Sequence, residues 1–278
     1  MVCTVAEPVR DVIYGGNPYM NILFKSLMAA TFCWSAGCFA YDGREIAVMV
    51  DTADTSSDAV RDAVMVIQRG DQKLIRKMTM QMQKKGEDGG KRHSLITFTE
   101  PKDIQDTRFL SKSYGDLEHE KDLWVFLPAE SLVRRISGGG RKNAFMRSDF
   151  SLEDLEYRSV DEDSHRFIAE DRVNDRPVWI IESVPVESRS DETGYAKRVL
   201  YVDQEYKSPV KVDYYNKQGR HIKTLMAGAF KNIQGIWTPT KLIMTAESGR
   251  GRTLLQYTGV TYNSGLPDEI FEQTSLKR

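Results

Sequence analysis

From residue 78 onward, polar and apolar side chains alternate in short runs. Met78-Thr79-Met80-Gln81-Met82-Gln83 puts three methionines on one face and polar residues on the other, the period of a strand with one buried face. Ser94-Leu95-Ile96-Thr97-Phe98-Thr99 reads as another strand. Leu123-Trp124-Val125-Phe126-Leu127 is apolar throughout, which predicts a strand covered on both sides. Further strands are expected over 198–202, 210–215, 222–230, 240–245 and 253–262. The stretches 68–72, 86–90 and 216–219 each combine Gly with Asn or Asp, the chemistry of hairpin turns. Strands joined in this way form an antiparallel meander in one sheet. Two helical stretches interrupt the pattern. One covers 43–49, with Ile46, Val48, Met49 and Val50 supplying an apolar side, and the other begins at Ser151, where Asp154 three residues on makes a capping pair.

The N-terminal pattern is different. Met20–Ser26 carries one cation, Lys25, and Leu27–Trp34 is apolar. Small residues follow over Ser35–Ala40, and the chain turns polar at Tyr41. That is the three-part layout of a secretory signal peptide, and its apolar run is shorter than the ~20 residues that span a bilayer. The expected division is residues 1–19 as a mis-called start or disordered tail, 20–40 as signal peptide, and 41–278 as a single domain. Ser35-Ala36-Gly37-Cys38 also reads as a lipobox, so cleavage after Ala40 and lipidation of Cys38 both stand as readings. All three cysteines, Cys3, Cys33 and Cys38, lie in this region. The rest of the chain is free of thiols, as suits an oxidising compartment such as the periplasm.

Composition narrows the function. At 278 residues and 40% hydrophobic the chain can bury a core, and its net charge of -1 lacks the basic surface that a general nucleic-acid binder needs. His93, His119, His165 and His221 share no metal-ligand spacing. Glu118-His119-Glu120 reads as a solvated turn, and Asp161-Glu162-Asp163 as an exposed acidic turn that lacks the glycine and closing glutamate of a calcium loop. No Gly-x-Ser-x-Gly elbow is present, and Gly138-Gly139-Gly140 lacks the Lys-Ser/Thr pair of a phosphate loop. A hydrolase built on a carboxylate pair remains a rival reading. Otherwise no catalytic residue, metal or cofactor is expected. Arg134, Arg135, Arg141 and Lys142 flank the glycine run, and Phe145, Met146, Arg147 and Phe150 follow it. This stretch reads either as a lid that meets a membrane or partner, or as a surface loop with its aromatics tucked into the core.

Asp122–Ala129, Val133–Gly138 and Phe145–Leu155, with Phe98–Pro101, Asp106–Leu110 and Leu266–Phe271, carry a resemblance. In these segments the chain resembles the LolA-like outer-membrane lipoprotein-sorting family, in the branch with an arginine-glycine-phenylalanine loop. It departs from that branch at Arg147, where Gly is expected. The resemblance implies a mainly β fold, an incomplete antiparallel β-barrel whose strongly curved sheet is closed by a helical and loop lid. It further implies a periplasmic carrier of lipid or lipoprotein acyl chains bound for the outer membrane. An inner-membrane exporter of the resistance-nodulation type is its expected partner, and the outer-membrane acceptor is not named. A non-transporting interaction or stress-sensor module with the same fold is the alternative. Methionine adapts to irregular apolar cargo, so Met78, Met80 and Met82 are the first expected cavity residues, followed by Ile96, Phe98, Leu123, Val125 and Leu225.

Overall fold

The computed structural model describes residues 41–86, 90–249 and 251–278; the expected signal peptide and Cys38 lie outside the described residues. Helix α1 (Gly43–Thr52) comes first. Six strands follow: β1 (Asp58–Arg69), β2 (Gln72–Lys85), β3 (Lys91–Glu100), β4 (Arg108–Ser113), β5 (Asp122–Leu127) and β6 (Leu132–Arg135). A crossover, residues 136–162, holds the short helix α2 (Gly138–Arg141) and three 3-10 turns. The chain then forms β7 (Asp163–Val173), β8 (Arg176–Pro185), the short helix α3 (Glu187–Ser190), β9 (Tyr195–Asp203) and β10 (Pro209–Asn216). It ends with β11 (His221–Ile233), β12 (Ile236–Ala246), β13 (Arg252–Tyr262) and two further 3-10 turns.

All thirteen strands form one sheet in the order β6-β5-β4-β3-β2-β1-β13-β12-β11-β10-β9-β8-β7, with every neighbour antiparallel. Two meanders are therefore zipped together where β1 meets β13, and β6 and β7 are left as free edges. The sheet is a curved, incomplete barrel, as the resemblance implied, and the crossover runs from one free edge to the other. Strands β1, β4, β6, β7 and β8 are additions to those that the alternation alone yields. Strand β7 is polar enough to read as loop, and β8 opens on Arg176-Pro177.

Both faces of the sheet bury apolar side chains. On β5, Leu123 and Val125 join the inner cluster while Phe126 joins an outer one with Leu95 and Leu110, so the strand is covered on both sides as expected. The outer cluster is sealed by the C-terminal turns through Phe271 and Leu276, 0% and 1% exposed. Arg108 fastens them by donating to the Leu276 carbonyl at 3.1 Å. On the inner face, Ile46 and Ala47 of α1 pack against Trp179, Ile181 and Val202. Gly43 makes that approach possible, since a Cβ there would sit 2.6 Å from the backbone of Arg166 and Phe167.

Candidate binding site on the concave face

The inward rows of β1–β5 and β10–β13 meet in one apolar cluster. Met78, Met80, Ile96, Phe98, Leu123 and Val125 belong to it and are buried, and Leu225 packs partly buried against it. Met82 stands at the end of the methionine row, half-buried, where it lines a cavity.

The cover over this cluster comes from the crossover. Phe145 and Phe150 are 1% and 2% exposed, and Leu152, Ile136 and Met146 pack beside them. The Phe145 ring lies 5.6 Å from Phe98 and 5.1 Å from Phe109 between centroids, the tilted packing that aromatic quadrupoles favour. The concave face thus has the expected apolar lining, and the protein's own loop occupies it. Of the two sequence readings of this loop, its aromatics follow the one that tucks them into the core.

Carboxylates fasten the loop to the sheet. Asp149 accepts two hydrogen bonds of 2.9 Å from Arg69, and its amide donates to Thr253 Oγ1 at 3.0 Å. Asp154 accepts from the Tyr195 hydroxyl at 2.7 Å and from Lys223. Glu153 accepts from Thr193 Oγ1 at 2.6 Å and from the Gly194 amide at 3.1 Å. Burial, with the Asp154 charge behind it, pushes the Tyr195 phenol well above its ordinary range. Ser151 and Asp154 form the expected capping box around a 3-10 turn, Leu152–Asp154. Met146 and Arg147, with φ of 48° and 64°, are successive left-handed residues, which explains why Gly is expected at 147.

The loop's cations do not act together. Arg134 and Arg135 are exposed on the edge strand β6 and pair with Glu130 and Asp122. Lys142 is exposed and donates to the Asp191 carbonyl at 2.7 Å, and Arg147 is exposed. Arg141 departs from the expectation of a membrane or partner contact. It is 6% exposed and paired with Glu156, so it ties down the crossover from within.

A second part of the concave side lies under α1. A cavity of about 390 Å³ is bounded by α1, the crossover and the sheet, with Met82, Arg92, Tyr157, Leu200, Val212 and Tyr214 in its walls. Beside it, Lys121 meets Glu162 at 2.8 Å, Arg158 meets Asp163 at 2.6 Å and Glu162 at 3.2 Å, and Arg198 meets Asp163 at 3.0 Å. This corrects the reading of residues 161–163 as an exposed acidic turn: only Asp161 faces solvent, while Glu162 and Asp163 are 3% and 7% exposed. Of their cationic partners, Arg158 lies just upstream, while Lys121 and Arg198 come from distant parts of the chain. Burial alone would raise both carboxyl pKa values; Lys121 and Arg158 hold Glu162 below its ordinary range, and Arg158 and Arg198 do the same for Asp163.

Phe109, Leu152 and the buried ion network are absent from the site residues expected from the sequence. Phe109 sits in the short apolar stretch Phe109-Leu110, and Leu152 directly follows a recognised cap, so each had a local signal. The network had only the spacing of four between Arg158 and Glu162.

A family model described as an uncharacterized protein family matches residues 90–278. No curated protein matches the chain. The crystal structure of a DUF1329 family protein from Desulfovibrio piger is 37% identical over 84% of this chain and 97% of that one, with a TM-score of 0.81. A domain assigned to outer membrane lipoprotein sorting in Vibrio parahaemolyticus is 26% identical, covers 85% of this chain and 98% of its own, and has a TM-score of 0.79. A LolA superfamily protein from Nitrosomonas europaea, 23% identical over 84% and 99% of the two chains with a TM-score of 0.66, shares the fold. Since the family model spans the larger part of the sequence and the 37% identical relative is matched almost end to end, the chain belongs to the DUF1329 family, whose curved open sheet is LolA-like in fold.

Proposed function

We propose that the protein is a non-catalytic periplasmic carrier. It takes acyl chains of a lipid or lipid-modified protein onto its concave face and passes them towards the outer membrane. The observation that carries this reading is the nature of the cover: the apolar row of Met78, Met80, Ile96 and Phe98 is closed by an irregular loop held through side-chain clasps, not by another strand or a long helix. Such a cover can leave without unzipping the sheet. An acyl chain in water costs about 0.8 kcal/mol per CH₂, roughly 12 kcal/mol for sixteen carbons, and the exposed row would offset most of that. The assignment of the Vibrio parahaemolyticus neighbour to lipoprotein sorting points the same way. No helix among the described residues is long and apolar enough to cross a membrane. Residues 20–40 fit as the export signal, with Tyr41 or a lipidated Cys38 as the mature start, and an exporter of the resistance-nodulation type fits as donor.

The filling of the concave face by Phe145, Phe150 and Leu152 favours a second reading, an interaction or stress-sensor module whose interior never opens. Native mass spectrometry of the protein purified from its own envelope separates the two. A co-purifying lipid at near one-to-one stoichiometry is expected, and a protein that carries no lipid and takes none up from vesicles would refute the carrier. Intact mass of the same sample distinguishes cleavage after Ala40 from lipidated Cys38.

A further inference from the structure

Arg76 stands at the foot of the methionine row. It lies on β2 two residues before Met78, opposite Met65 of β1, and is 8% exposed. Its Nε is buried without a hydrogen-bond partner, and among the described residues the side chain makes no ion pair or hydrogen bond. Arg141 and Arg189, equally buried, are both ion-paired. The charges that face Arg76 are Asp103, in the turn after β3, and the like charge of Arg147 on the covering loop. Burial depresses the guanidinium's pKa; Asp103 works against that and Arg147 with it. Buried charges are ordinarily paired, and a guanidinium is built to grip a phosphate or carboxylate through two parallel N–H donors.

We propose that Arg76, with Arg147 beside it, binds the anionic head of an acyl-bearing ligand whose tail lies along Met78, Met80 and Met82. The assignment rests on the carrier reading above and names the class of cargo. Residues 76–82 span about 20 Å of strand, against the ~15 Å that half a bilayer's hydrocarbon core measures. A tail along the row therefore covers about three-quarters of it, from Arg76 past Met78 and Met80, and points towards the cavity that Met82 lines. Phe145 must leave the row for the tail to enter, and the loop that carries it also carries Arg147, so head binding and uncovering fall on one segment.

Calorimetric titration of the full-length protein tests this with three probes: decanoyl lysophosphatidic acid, monodecanoylglycerol and inorganic phosphate. The lysophosphatidic acid should bind about tenfold more tightly than the glycerol ester, the difference a charged hydrogen-bonded pair supplies. Arg76→Gln should erase that preference, and Arg147→Gly should reduce it. Inorganic phosphate should bind far more weakly than the lysophosphatidic acid. Should Arg76→Gln fail to fold, the probe series on the native protein and Arg147→Gly still decide. Equal affinity for the two amphiphiles, a preference untouched by the variants, or free phosphate binding as tightly as its lipid would each overturn the assignment. Binding of the ester alone would sink this assignment and leave the carrier standing, whereas a protein that binds neither amphiphile and carries no native lipid loses both.

Discussion

Two pieces of chain cover the inside of the same sheet, and they do so by different means. Helix α1 satisfies its backbone internally, starts from a capping box in which the Asp42 amide donates to Glu45 at 3.1 Å, and sets Ile46 and Ala47 into a small cluster with Trp179, Ile181 and Val202. The loop over the larger cluster closes its main-chain bonds in short irregular turns, among them Phe145 N to Phe150 O at 2.7 Å, and is fastened to the strands by Asp149, Glu153 and Asp154. It also contains two left-handed residues, each of which costs about 1–2 kcal/mol. A regular element beside a buried charge network is a fixture. On the carrier reading proposed above, an irregular, strained segment held by side chains is the cover that opens while the sheet stays intact.

The sharpest way to break that contrast is at Asp163, which anchors the end of the crossover beneath α1 through Arg158 and Arg198. Asp163→Asn leaves both arginines under-paired in the interior and should lower unfolding free energy in urea by about 3–5 kcal/mol. A loss below ~1 kcal/mol would mean that the helix side is no more fixed than the loop side.

Ile46→Ala sharpens the comparison at somewhat lower amplitude. Ile46 has no exposed surface, so its truncation should cost about 2–5 kcal/mol. Hydrogen exchange supplies the counterpart in the native protein: amides of 145–152 should exchange through a local opening well below the global free energy, and those of 46–50 only near it. Equal protection of the two segments would remove the basis for a displaceable cover.

Arg147→Gly acts on the loop, and on the anion site proposed there, but not on α1. Gly adopts the φ of 64° without penalty, so the closed loop should gain about 1–2 kcal/mol and its amides should exchange more slowly, while α1 is unaffected. Slower uptake of a fatty-acid probe should accompany this. Unchanged exchange would show that this backbone position does not limit opening.

The sheet was legible because its signal is local. Met78-Thr79-Met80 announces an inward row by itself, and the glycine-bearing turns announce the meander. Strand β7 escaped notice because its inward or half-buried positions, Asp163, His165, Phe167 and Ala169, carry no apolar period, whereas β1 and β8 offered apolar runs over 63–67 and 178–181. The lining of the site was equally readable, because strand parity places Met78, Met80, Ile96 and Phe98 on one face. What fills the face was not decided by local pattern, since nothing in Phe145-Met146-Arg147 distinguishes a lid from a plug. Arg76 and the network of Lys121, Glu162, Asp163 and Arg198 were opaque for the same reason: their state depends on partners from distant parts of the chain.

The smallest expected effect is a pH dependence that, of the two covers, touches the helix side. His165 lines the cavity under α1, accepts at Nδ1 from Ser183 Oγ at 2.8 Å and donates from Nε2 to the Val160 carbonyl at 2.9 Å. Burial pulls its pKa below the ordinary 6.5; the Val160 carbonyl and Asp163 oppose that shift, and Arg198 and Arg44 add to it. The unfolded chain therefore takes up this proton near pH 6.5 while the folded chain resists to lower pH, so the stability due to the neutral ring is complete above about 6.5 and is lost as pH falls below it. Glu162 and Asp163, with lowered pKa values, lose their contribution only under more acidic conditions. His93, also depressed by burial and by Lys112 and Lys85, acts in the same direction on the outer face. The thermal midpoint should thus fall between pH 7.5 and 5.5, and His165→Gln should flatten part of that fall while His93→Gln removes a separate part. If His165→Gln leaves the slope untouched, the cavity beneath α1 does not sense acid, and the two covers differ in mechanics alone.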